Sequence, residues 1–530
     1  MRTGGVARVI RMREQLARPG AFVVAAEVVS SRGLITAESG RRVMETAREL
    51  AADPRIDLLS ITDNPGGHPK LSPETLGADL VSRGQEVIIH LSCKDWNRNA
   101  LESRGWQLGS EGFDNILALS GDYPAKGRSG LAAPVFDTDS VGLLNLLAEM
   151  NEGLPDLRKP GLRLDPTDFY LGCVVTNHKR REREVMPQYF KLRKKVAAGA
   201  RFVINQIGWN TRKDDELLRW IKRDGLPLST FANVYLLTAG AARMFHRGQI
   251  PGVVVTDELL AVAERHGASR DKGRAFFIDL AAKHVATARG LGFDGVYLGG
   301  HMSASTHGEI LNLAESYAAV DWLMFAREIQ YPKEDEFYFF EADPETKLSS
   351  DEVNAEYLES KRRHKTELRV PLKYRFSRRL HAAAFEPEAP LFRAGRAVYT
   401  AVEKASSARK VAHFLEQAAK VPLFGCRDCG DCSLPEIAYV CPESQCAKNQ
   451  RNGPCGGTRE SLCEVYDSEC IWSQAYERLK AFGEEETMLD GPVIIKDNAL
   501  TGTSAWANTF LGRDHTTRDK ADPGSEQAAH

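Results

Sequence analysis

Eight short apolar segments that alternate with longer amphipathic segments restrict the fold of the first 330 residues more than any other feature. Each apolar segment is nearly continuous in aliphatic residues, which is typical of strands buried on both faces of a parallel sheet. The intervening segments carry apolar residues at helical spacing, and several end at Gly after basic residues, as helices often do. The apolar segments are 22–29, 56–62, 86–93, 115–121, 168–176, 201–209, 228–237 and 294–300.

This alternation predicts an α/β fold, the (β/α)8 or TIM barrel, because eight strand–helix units close most simply into a barrel. An open doubly wound sheet is less favoured, since no G-x-G-x-x-G motif follows the first strand. At 530 residues the chain also exceeds one ordinary hydrophobic core. We therefore predict a barrel at 1–330, a helical connector at 331–420, a small cysteine-rich metal-binding domain at 421–515 and a disordered tail at 516–530.

Composition excludes several classes of partner. The formal net charge is −2, from 70 Lys and Arg against 72 Asp and Glu, so no overall charge favours nucleic acid or an anionic membrane. No apolar run reaches the length of about 18 residues that indicates a membrane span. The N-terminal residues also lack the apolar core of a secretory signal. These observations predict a cytoplasmic protein that binds neither nucleic acid nor membrane.

Eight of the ten cysteines lie in a 45-residue window near the C-terminus. A cytoplasmic chain keeps its thiols reduced, so clustered cysteines indicate metal ligands rather than disulfides. The first three are separated by two residues each and a Cys-Pro follows after eight more, which is close to ferredoxin-type 4Fe-4S ligation but not identical to it. The candidate ligands are Cys426, Cys429, Cys432, Cys441, Cys446, Cys455, Cys463 and Cys470.

Both iron–sulfur and zinc fit these cysteines. Paired C-x2-C units also suit tetrahedral zinc, so a structural zinc site is the alternative to a 4Fe-4S cluster. Eight thiols can fill two four-ligand sites, or one site with spare cysteines. The remaining two, Cys93 and Cys173, fall inside predicted strands and are predicted to be buried packing residues.

Polar residues at the predicted strand ends indicate an active site, because such a barrel places its active site where the C-terminal ends of the strands meet. Each of these residues also has a structural explanation, such as capping a helix or satisfying another buried polar group. Their convergence from five or six strands favours one shared site. They are Glu27, Thr62, Asp63, Asn64, His90, Ser92, Asp122, Thr176, Asn177, His178 and Gln206.

Two of these carboxylates lie in unlike surroundings, which suggests acid–base chemistry. Glu27 is flanked by Val and Ala, so loss of solvation is predicted to raise its pKa and suit it to general-acid catalysis. Asp122 lies in a glycine-containing loop and is predicted to stay ionised, where it would stabilise a developing cation.

Over roughly residues 15–325 the sequence resembles the methylenetetrahydrofolate reductase family of flavoprotein barrels. The matching elements are Glu27, HLSC (90–93), NILALSGD (115–122), LRKKVAAGARFVINQ (192–206), NVYLL (233–237) and IPGV (250–253). The resemblance implies an oxidoreductase of one-carbon metabolism that reduces methylenetetrahydrofolate to methyltetrahydrofolate, which supplies methionine biosynthesis. A flavin, FAD or FMN, would carry hydride from NAD(P)H to the folate.

The resemblance also assigns roles to individual residues. Glu27 would protonate the folate, Asp122 would stabilise the resulting cation, and Gln206 would contact the folate. The implied flavin contacts are Thr62, His90, Asp122, Thr176 and Lys195. Departures from the family pattern, among them Ser120 and His301, leave the type of flavin and the electron donor open.

The cysteine-rich segment resembles a C-terminal domain that some methylenetetrahydrofolate reductases carry, either fused or on a separate subunit. The matching motifs are CxxCGxC, VCPExxCxKxxxNGPCGG, CEV and CIWxxAYxRL. This resemblance implies iron–sulfur clusters and electron delivery, with an electron-transfer protein as a partner beside folate and nicotinamide; a homo-oligomer is compatible with the sequence. Two alternatives stay open: a pterin-dependent methyltransferase, and a non-catalytic folate-binding barrel with a structural zinc domain.

Overall fold

A closed parallel barrel forms the N-terminal part of the molecule. The structure, a computed structural model, describes residues 11–300, 302–367 and 370–518, so His301 lies outside the described residues. Each barrel strand pairs with its neighbour in sequence and the first pairs with the last, which confirms the predicted (β/α)8 barrel. Each predicted apolar segment contains one strand: β1 (Val23–Val28), β2 (Leu58–Ile61), β3 (Glu86–Ser92), β4 (Asn115–Leu119), β5 (Tyr170–Val175), β6 (Phe202–Asn205), β7 (Ser229–Tyr235) and β8 (Gly295–Gly299).

Helices cover the outside of the barrel, as their apolar spacing predicts. The second helix, for example, buries Met44, Ala47 and Leu50 along one face and leaves its charged face in solvent. The exception is α1 (Met12–Leu16), which packs Met12 into the apolar cluster inside the barrel. The other helices are α2 (Glu38–Ala51), α3 (Pro73–Ser82), α4 (Arg98–Ser110), α5 (Ser140–Glu152), α6 (Glu182–Ala197), α7 (Thr211–Arg223), α8 (Ala239–His246), α9 (Asp257–Gly267), α10 (Arg274–Leu291), α11 (Ala304–Ser316) and α12 (Trp322–Glu328).

Strand alternation decides which side chains enter the barrel, because successive residues of a strand point to opposite faces. The inward residues nearest the N-terminal ends are apolar and form one core cluster, which includes Ala25, Ile88 and Ile204. Two residues further along, the corresponding positions are polar: Glu27 and His90 in their strands, and Gln206 directly after β6. The barrel therefore has an apolar floor and a polar mouth.

The two barrel cysteines point the other way. Cys93 and Cys173 are fully buried and belong to the cluster between strands and helices. Burial raises the pKa of Cys93 and raises that of Cys173 to about 11. Both are therefore packing residues, as predicted.

Beyond the barrel the chain forms a hairpin and a series of helices. The antiparallel hairpin joins β9 (Phe340–Ala342) and β10 (Ser349–Val353). The predicted connector 331–420 contains this hairpin and most of four helices, of which the last continues to Phe424. The helices are α13 (Ala355–Glu367), α14 (Leu372–Ala384), α15 (Phe392–Val402) and α16 (Ser406–Phe424).

The cysteine-rich segment consists mostly of loops between short helices. The predicted disordered tail begins inside the last of these helices, and its residues 519–530 lie outside the described part of the chain. No helix within the described ranges combines the length and apolarity needed to cross a bilayer. The helices are α17 (Pro442–Gln445), α18 (Ile471–Lys480), α19 (Ala505–Leu511) and α20 (His515–Arg518).

Candidate active site

A hydrogen-bonded row of polar groups crosses the inner face of the barrel mouth. The Tyr297 hydroxyl donates to Glu27 Oε1 over 3.1 Å, and the Gly300 amide donates to Oε2 over 3.2 Å. Tyr297 also bonds to Ser60, whose Oγ lies 2.9 Å from His90 Nε2. The row Glu27–Tyr297–Ser60–His90 thus joins β8, β1, β2 and β3 and fixes the orientation of the Glu27 carboxyl group.

Burial sets the protonation of this row. Burial lowers the pKa of His90 to about 4, so its imidazole is neutral near pH 7. Burial, assisted by the negative charge of Glu27, raises the pKa of Tyr297 well above its usual value. Tyr297 therefore stays protonated and remains a donor to Glu27.

Two buried oxygens in or beside the mouth have no hydrogen-bond partner among the described residues: Thr62 Oγ1 and Asn233 Oδ1. Thr62 is only 4% exposed, and an unpaired buried hydroxyl costs about 1–3 kcal/mol. Both residues continue the inward series of their strands. A bound polar ligand is the simplest group to satisfy them, which fits the predicted cofactor contact at Thr62.

Asp122 lies at the edge of the mouth between two loops. Its Oδ2 accepts a hydrogen bond from the Gly66 amide over 2.7 Å, which ties the loop after β4 to the 3-10 turn Pro65–Gly67 after β2. The charge of Asp122 also acts on the buried ammonium of Lys448 in the cysteine-rich segment. Asp122 therefore lies where the barrel meets that segment.

Thr176 and Gln206 share a second part of the rim. Gln206 Nε2 lies 2.9 Å, and Thr176 Cγ2 lies 3.5 Å, from where a Cβ of Gly252 would stand. A Cβ at Gly456, which has φ +87°, would come within 2.4 Å of Thr176 Oγ1. Glycine at position 456 therefore lets the cysteine-rich segment approach the predicted cofactor and substrate contacts closely.

Lys195 lies apart from these groups. It is buried in α6, and its ammonium donates to the Val174 carbonyl over 2.5 Å. Burial lowers the pKa of Lys195 to about 8. Its main contact is thus to the backbone of β5, and its role at the flavin stays a prediction.

Asn177 and His178 turn away from the mouth toward a buried carboxylate at the start of α7. Asp214 Oδ1 accepts hydrogen bonds from Asn205 over 2.6 Å and Asn177 over 3.3 Å, and lies 3.1 Å from His178 Nε2. Burial acts to raise the pKa of Asp214, but His178 and His284 outweigh it and hold the pKa well below its usual range. For these residues the structural explanation holds, and they stabilise the barrel wall.

A loop of the cysteine-rich segment, residues 448–459, lies on the barrel rim; we call it the rim loop. Lys191 of α6 donates to Gln450 and to the Gly453 and Pro454 carbonyls over 3.0–3.2 Å. Lys179 donates to the carbonyls of Gly456 and Thr458. In the opposite direction, Lys448 donates to the Gly121 carbonyl over 2.8 Å. Three buried lysines therefore fasten the rim loop to the barrel beside Asp122.

The NGPCGG motif owes its glycines to this contact. A Cβ at Gly453, which has φ +112°, would stand 2.8 Å from the Lys191 side chain. Asn452 donates its backbone amide to Asp139 over 2.7 Å, and Asp139 is also the N-cap of α5. The motif is therefore built for close packing against the barrel.

The eight C-terminal cysteines fall into two sets of four. The first set lines one small cavity together with Lys420 and Arg451. In the second set, burial raises the pKa of Cys446 to about 12 and raises that of Cys470, and the nearby charge of Cys455 adds to both shifts. The first set is Cys426, Cys429, Cys432 and Cys441; the second is Cys446, Cys455, Cys463 and Cys470.

Donors surround the sulfur atoms of both sets. Backbone amides lie 3.4–3.5 Å from the Sγ atoms of Cys426, Cys446 and Cys463, and the Lys420 ammonium lies 3.4 Å from Cys432 Sγ. Such donors stabilise thiolates, the form that binds iron–sulfur clusters and zinc. Among the described residues, no three His, Cys, Asp or Glu side chains converge closely enough to hold a metal ion. The donor chemistry around the sulfur atoms nevertheless fits a metal centre.

Fold and site together define a (β/α)8-barrel protein whose polar mouth is bordered by a cysteine-rich segment. Residues 11–293, more than half of the chain, match the family model described as methylenetetrahydrofolate reductase. Residues 405–498 match the model described as methylene-tetrahydrofolate reductase C terminal. The chain therefore belongs to the methylenetetrahydrofolate reductase family.

Several solved structures are similar to part of this chain. One is an uncharacterized Clostridium thermocellum protein that binds two copies of 5-methyl-5,6,7,8-tetrahydrofolic acid; it is 11% identical, with a TM-score of 0.41, and the match covers 57% of this chain and 96% of that one. Another is a Xanthomonas albilineans dihydropteroate synthase, 13% identical, with a TM-score of 0.31 and coverage of 58% and 97%. Likenesses this distant do not indicate a ligand for this chain.

Sequence reasoning missed Tyr297, Ser60 and the rim loop. The sequence allowed Tyr297 and Ser60 to be predicted, since each is a polar residue at an inward position of its strand. The rim loop could not be predicted, because no local sequence pattern indicates that residues near 450 contact the strand ends near residues 120 and 176.

Proposed function

We propose that this protein reduces methylenetetrahydrofolate to methyltetrahydrofolate with a bound flavin. Membership of the family makes this the expected chemistry. The observation that carries the proposal is Glu27, held by the Tyr297 hydroxyl and the Gly300 amide at the polar end of the inner barrel face. A carboxyl group fixed in this way can deliver a proton to one atom of a substrate seated in the mouth.

The residues of the mouth have separate roles in the proposed reaction. Glu27 protonates the bridging nitrogen as the folate ring opens, and Tyr297 keeps its carboxyl group oriented. Asp122, at the rim, stabilises the positive charge that forms on the folate. Gln206, beside Thr176, contacts the pterin or the benzoate part of the folate.

A flavin would supply the hydride chemistry when bound. The unpaired Thr62 oxygen in the mouth supports such a group, as does neutral His90 on the neighbouring strand. Thr62, His90, Asp122 and Thr176 are the residues that would hold it. These residues suit FAD and FMN equally. NADH, NADPH and an external electron carrier are all compatible donors.

The two cysteine sets support metal centres that pass electrons to the barrel. The second set is carried in part by the rim loop, which reaches Ser120 and Thr176 at the mouth. The first set lies beside α16, where Lys420 contacts Cys432 Sγ. Iron–sulfur clusters at both sets would suit electron transfer to the barrel, whereas zinc at either set would make that set structural.

The proposed function is tested on protein purified without oxygen. We expect flavin absorbance, release of FAD or FMN on denaturation, and conversion of methylenetetrahydrofolate to methyltetrahydrofolate with a reduced viologen dye as donor. The dye serves because it needs no specific docking site. A preparation that folds but binds neither flavin nor folate would contradict the proposal.

Cysteine replacement separates the two sets. Cys429→Ala is expected to remove the metal of the first set only, and Cys455→Ala that of the second, so each variant should lose about half of the bound metal. Iron and zinc are measured by elemental analysis, with Cys173→Ala as the control because that cysteine packs against helices. Unchanged metal content in both variants would show that the sets do not bind metal.

A further inference from the structure

The turn that carries Asp122 is held in place from outside the barrel. Ser120, Gly121 and Asp122 follow β4 directly, and Gly121 has φ +85°, a left-handed conformation that glycine adopts most easily. Asp122 itself accepts a hydrogen bond from the Gly66 amide, on the loop after β2. The bonds to the two residues before it come from the cysteine-rich segment.

Two residues of the rim loop make those bonds. The Ser120 hydroxyl donates to Gln450 Oε1 over 3.0 Å. The Lys448 ammonium donates to the Gly121 carbonyl over 2.8 Å. Gln450 also donates its side-chain amide to the Lys448 carbonyl over 3.0 Å, which joins the two contacts. The rim loop therefore holds the peptide next to Asp122 at two adjacent points.

Lys448 brings a buried positive charge to this turn. Its side chain is 6% exposed, and its ammonium lies 2.6 Å from Oε1 of Glu464, whose side chain is 9% exposed. Burial acts to lower the pKa of Lys448, but nearby negative charges, that of Asp122 among them, outweigh it and hold the pKa above its usual value. Lys448 is therefore a permanent cation beside the turn.

Glu464 has a fixed place between Lys448 and the second cysteine set. Cys455 Sγ lies 3.6 Å from the same Glu464 oxygen that Lys448 contacts. A Cβ at Gly457 would clash with the Glu464 carboxyl group, so glycine at this position gives the carboxylate room to reach Lys448. The ion pair is thus built into the cysteine-rich segment.

We propose that Lys448 is a positioning residue for Asp122, which it holds, together with Glu464, toward the positive charge that forms on the folate. This role rests on the proposed function, because that reaction gives Asp122 a cation to stabilise. Lys179 and Lys191 bond from the barrel to carbonyls of the rim loop, whereas Lys448 bonds from the rim loop to the barrel. The cysteine-rich segment thereby contributes a side chain to the active site, apart from any electron transfer.

Lys448→Met removes the ammonium and keeps most of the side-chain volume. The folate half-reaction, followed by stopped flow as flavin reoxidation, should slow about ten- to a hundredfold, since small displacements of a catalytic group have effects of this size. The half-saturating concentration of methylenetetrahydrofolate should change by less than about twofold, because the lost interaction is made in the transition state. Flavin reduction by the viologen dye should be unchanged. Lys448→Arg keeps the charge and should recover most of the rate.

Lys194→Met is the matched control. Lys194 is a buried lysine of α6 that also joins barrel and cysteine-rich segment through a backbone carbonyl, that of Pro492, over 2.8 Å. Its loss should lower the thermal stability and leave the folate half-reaction unchanged. Circular dichroism and elemental analysis of each variant ensure that folded proteins with equal metal content are compared.

A double-mutant cycle with Asp122→Asn separates positioning from simple fastening of the rim loop. If Lys448 acts through Asp122, adding Lys448→Met to Asp122→Asn should slow the folate half-reaction by no more than about twofold further. Should Lys448→Met fail to fold, Glu464→Gln weakens the same ion pair. A neutral amide bonds less strongly, so this variant should lose about threefold, with the same dependence on Asp122.

Two results would overturn the positioning role and leave the proposed function standing. One is full multiplication of the losses of Lys448→Met and Asp122→Asn. The other is a Lys448→Met variant whose folate half-reaction is as fast as that of Lys194→Met. A lack of folate reduction in the unchanged protein would instead refute the proposed function and this role together.

Discussion

Glu27→Gln should leave flavin reduction intact and slow folate reduction by about two to four orders of magnitude, the usual contribution of a general acid. The amide matches the carboxyl group in shape, and its carbonyl oxygen still accepts the Tyr297 hydrogen bond. It has no acidic proton to transfer to the folate nitrogen. Stopped-flow measurement of the two half-reactions, flavin reduction by the donor and flavin reoxidation by methylenetetrahydrofolate, separates the two effects.

Tyr297→Phe provides the graded comparison for this prediction. It keeps the carboxyl group and removes one of the donors that orient it, so we expect a smaller loss in the folate half-reaction, about tenfold, with an altered pH profile. Glu38→Gln, on the exposed face of α2, is the control and should change neither half-reaction. Folate turnover that is unchanged in Glu27→Gln would remove Glu27 from its proposed role.

Asp214→Ala should destabilise the barrel by about 3–5 kcal/mol, the usual cost of removing one partner from a buried charged network. The carboxylate is 2% exposed and accepts hydrogen bonds from Asn177 and Asn205, with His178 and His284 beside it. Removing it leaves those buried donors unpaired. Chemical denaturation followed by far-UV circular dichroism measures the change in the free energy of unfolding.

Lowering the pH should also reduce the free energy of unfolding, through protonation of the same carboxylate. The pKa of Asp214 is held below its unfolded value, so the unfolded chain binds more protons as the pH falls. The stabilisation is therefore complete above about pH 4, the unfolded pKa of an aspartate, and is lost progressively below it. Asp214→Ala should have a flatter acid limb than the unchanged protein, and Asp351→Ala, at a carboxylate 91% exposed, should match the unchanged protein at every pH. An equally steep acid limb in both variants would show that Asp214 does not carry this dependence.

The barrel could be predicted because strands buried on both faces leave a strong signal, and each predicted apolar segment contains one strand. Glu27, His90 and Gln206 were predicted from their places late in, or just after, their strands, and the structure places the first two at inward positions. Beyond the last strand residue the alternation of a strand ends, which is why Asn177 and His178 lie beside Asp214 rather than in the mouth. Loop geometry decides such positions, and it is not encoded in a periodic pattern.

The cysteine-rich segment was only partly predictable. Spacing placed Cys426, Cys429 and Cys432 with the later Cys441, and the structure groups the same four around one cavity. The position of the rim loop depends on contacts between residues more than 250 positions apart, such as Lys191 with Gln450. No local feature of a single sequence shows such contacts.

The lysine-fastened rim loop couples the cysteine-rich segment to the barrel mouth. Cys455 lies on the rim loop, which also touches Thr176 and Ser120, so an ion held at the second cysteine set would stabilise the cofactor pocket by mass action. Loss of such an ion would then weaken cofactor binding without any change in the mouth residues themselves.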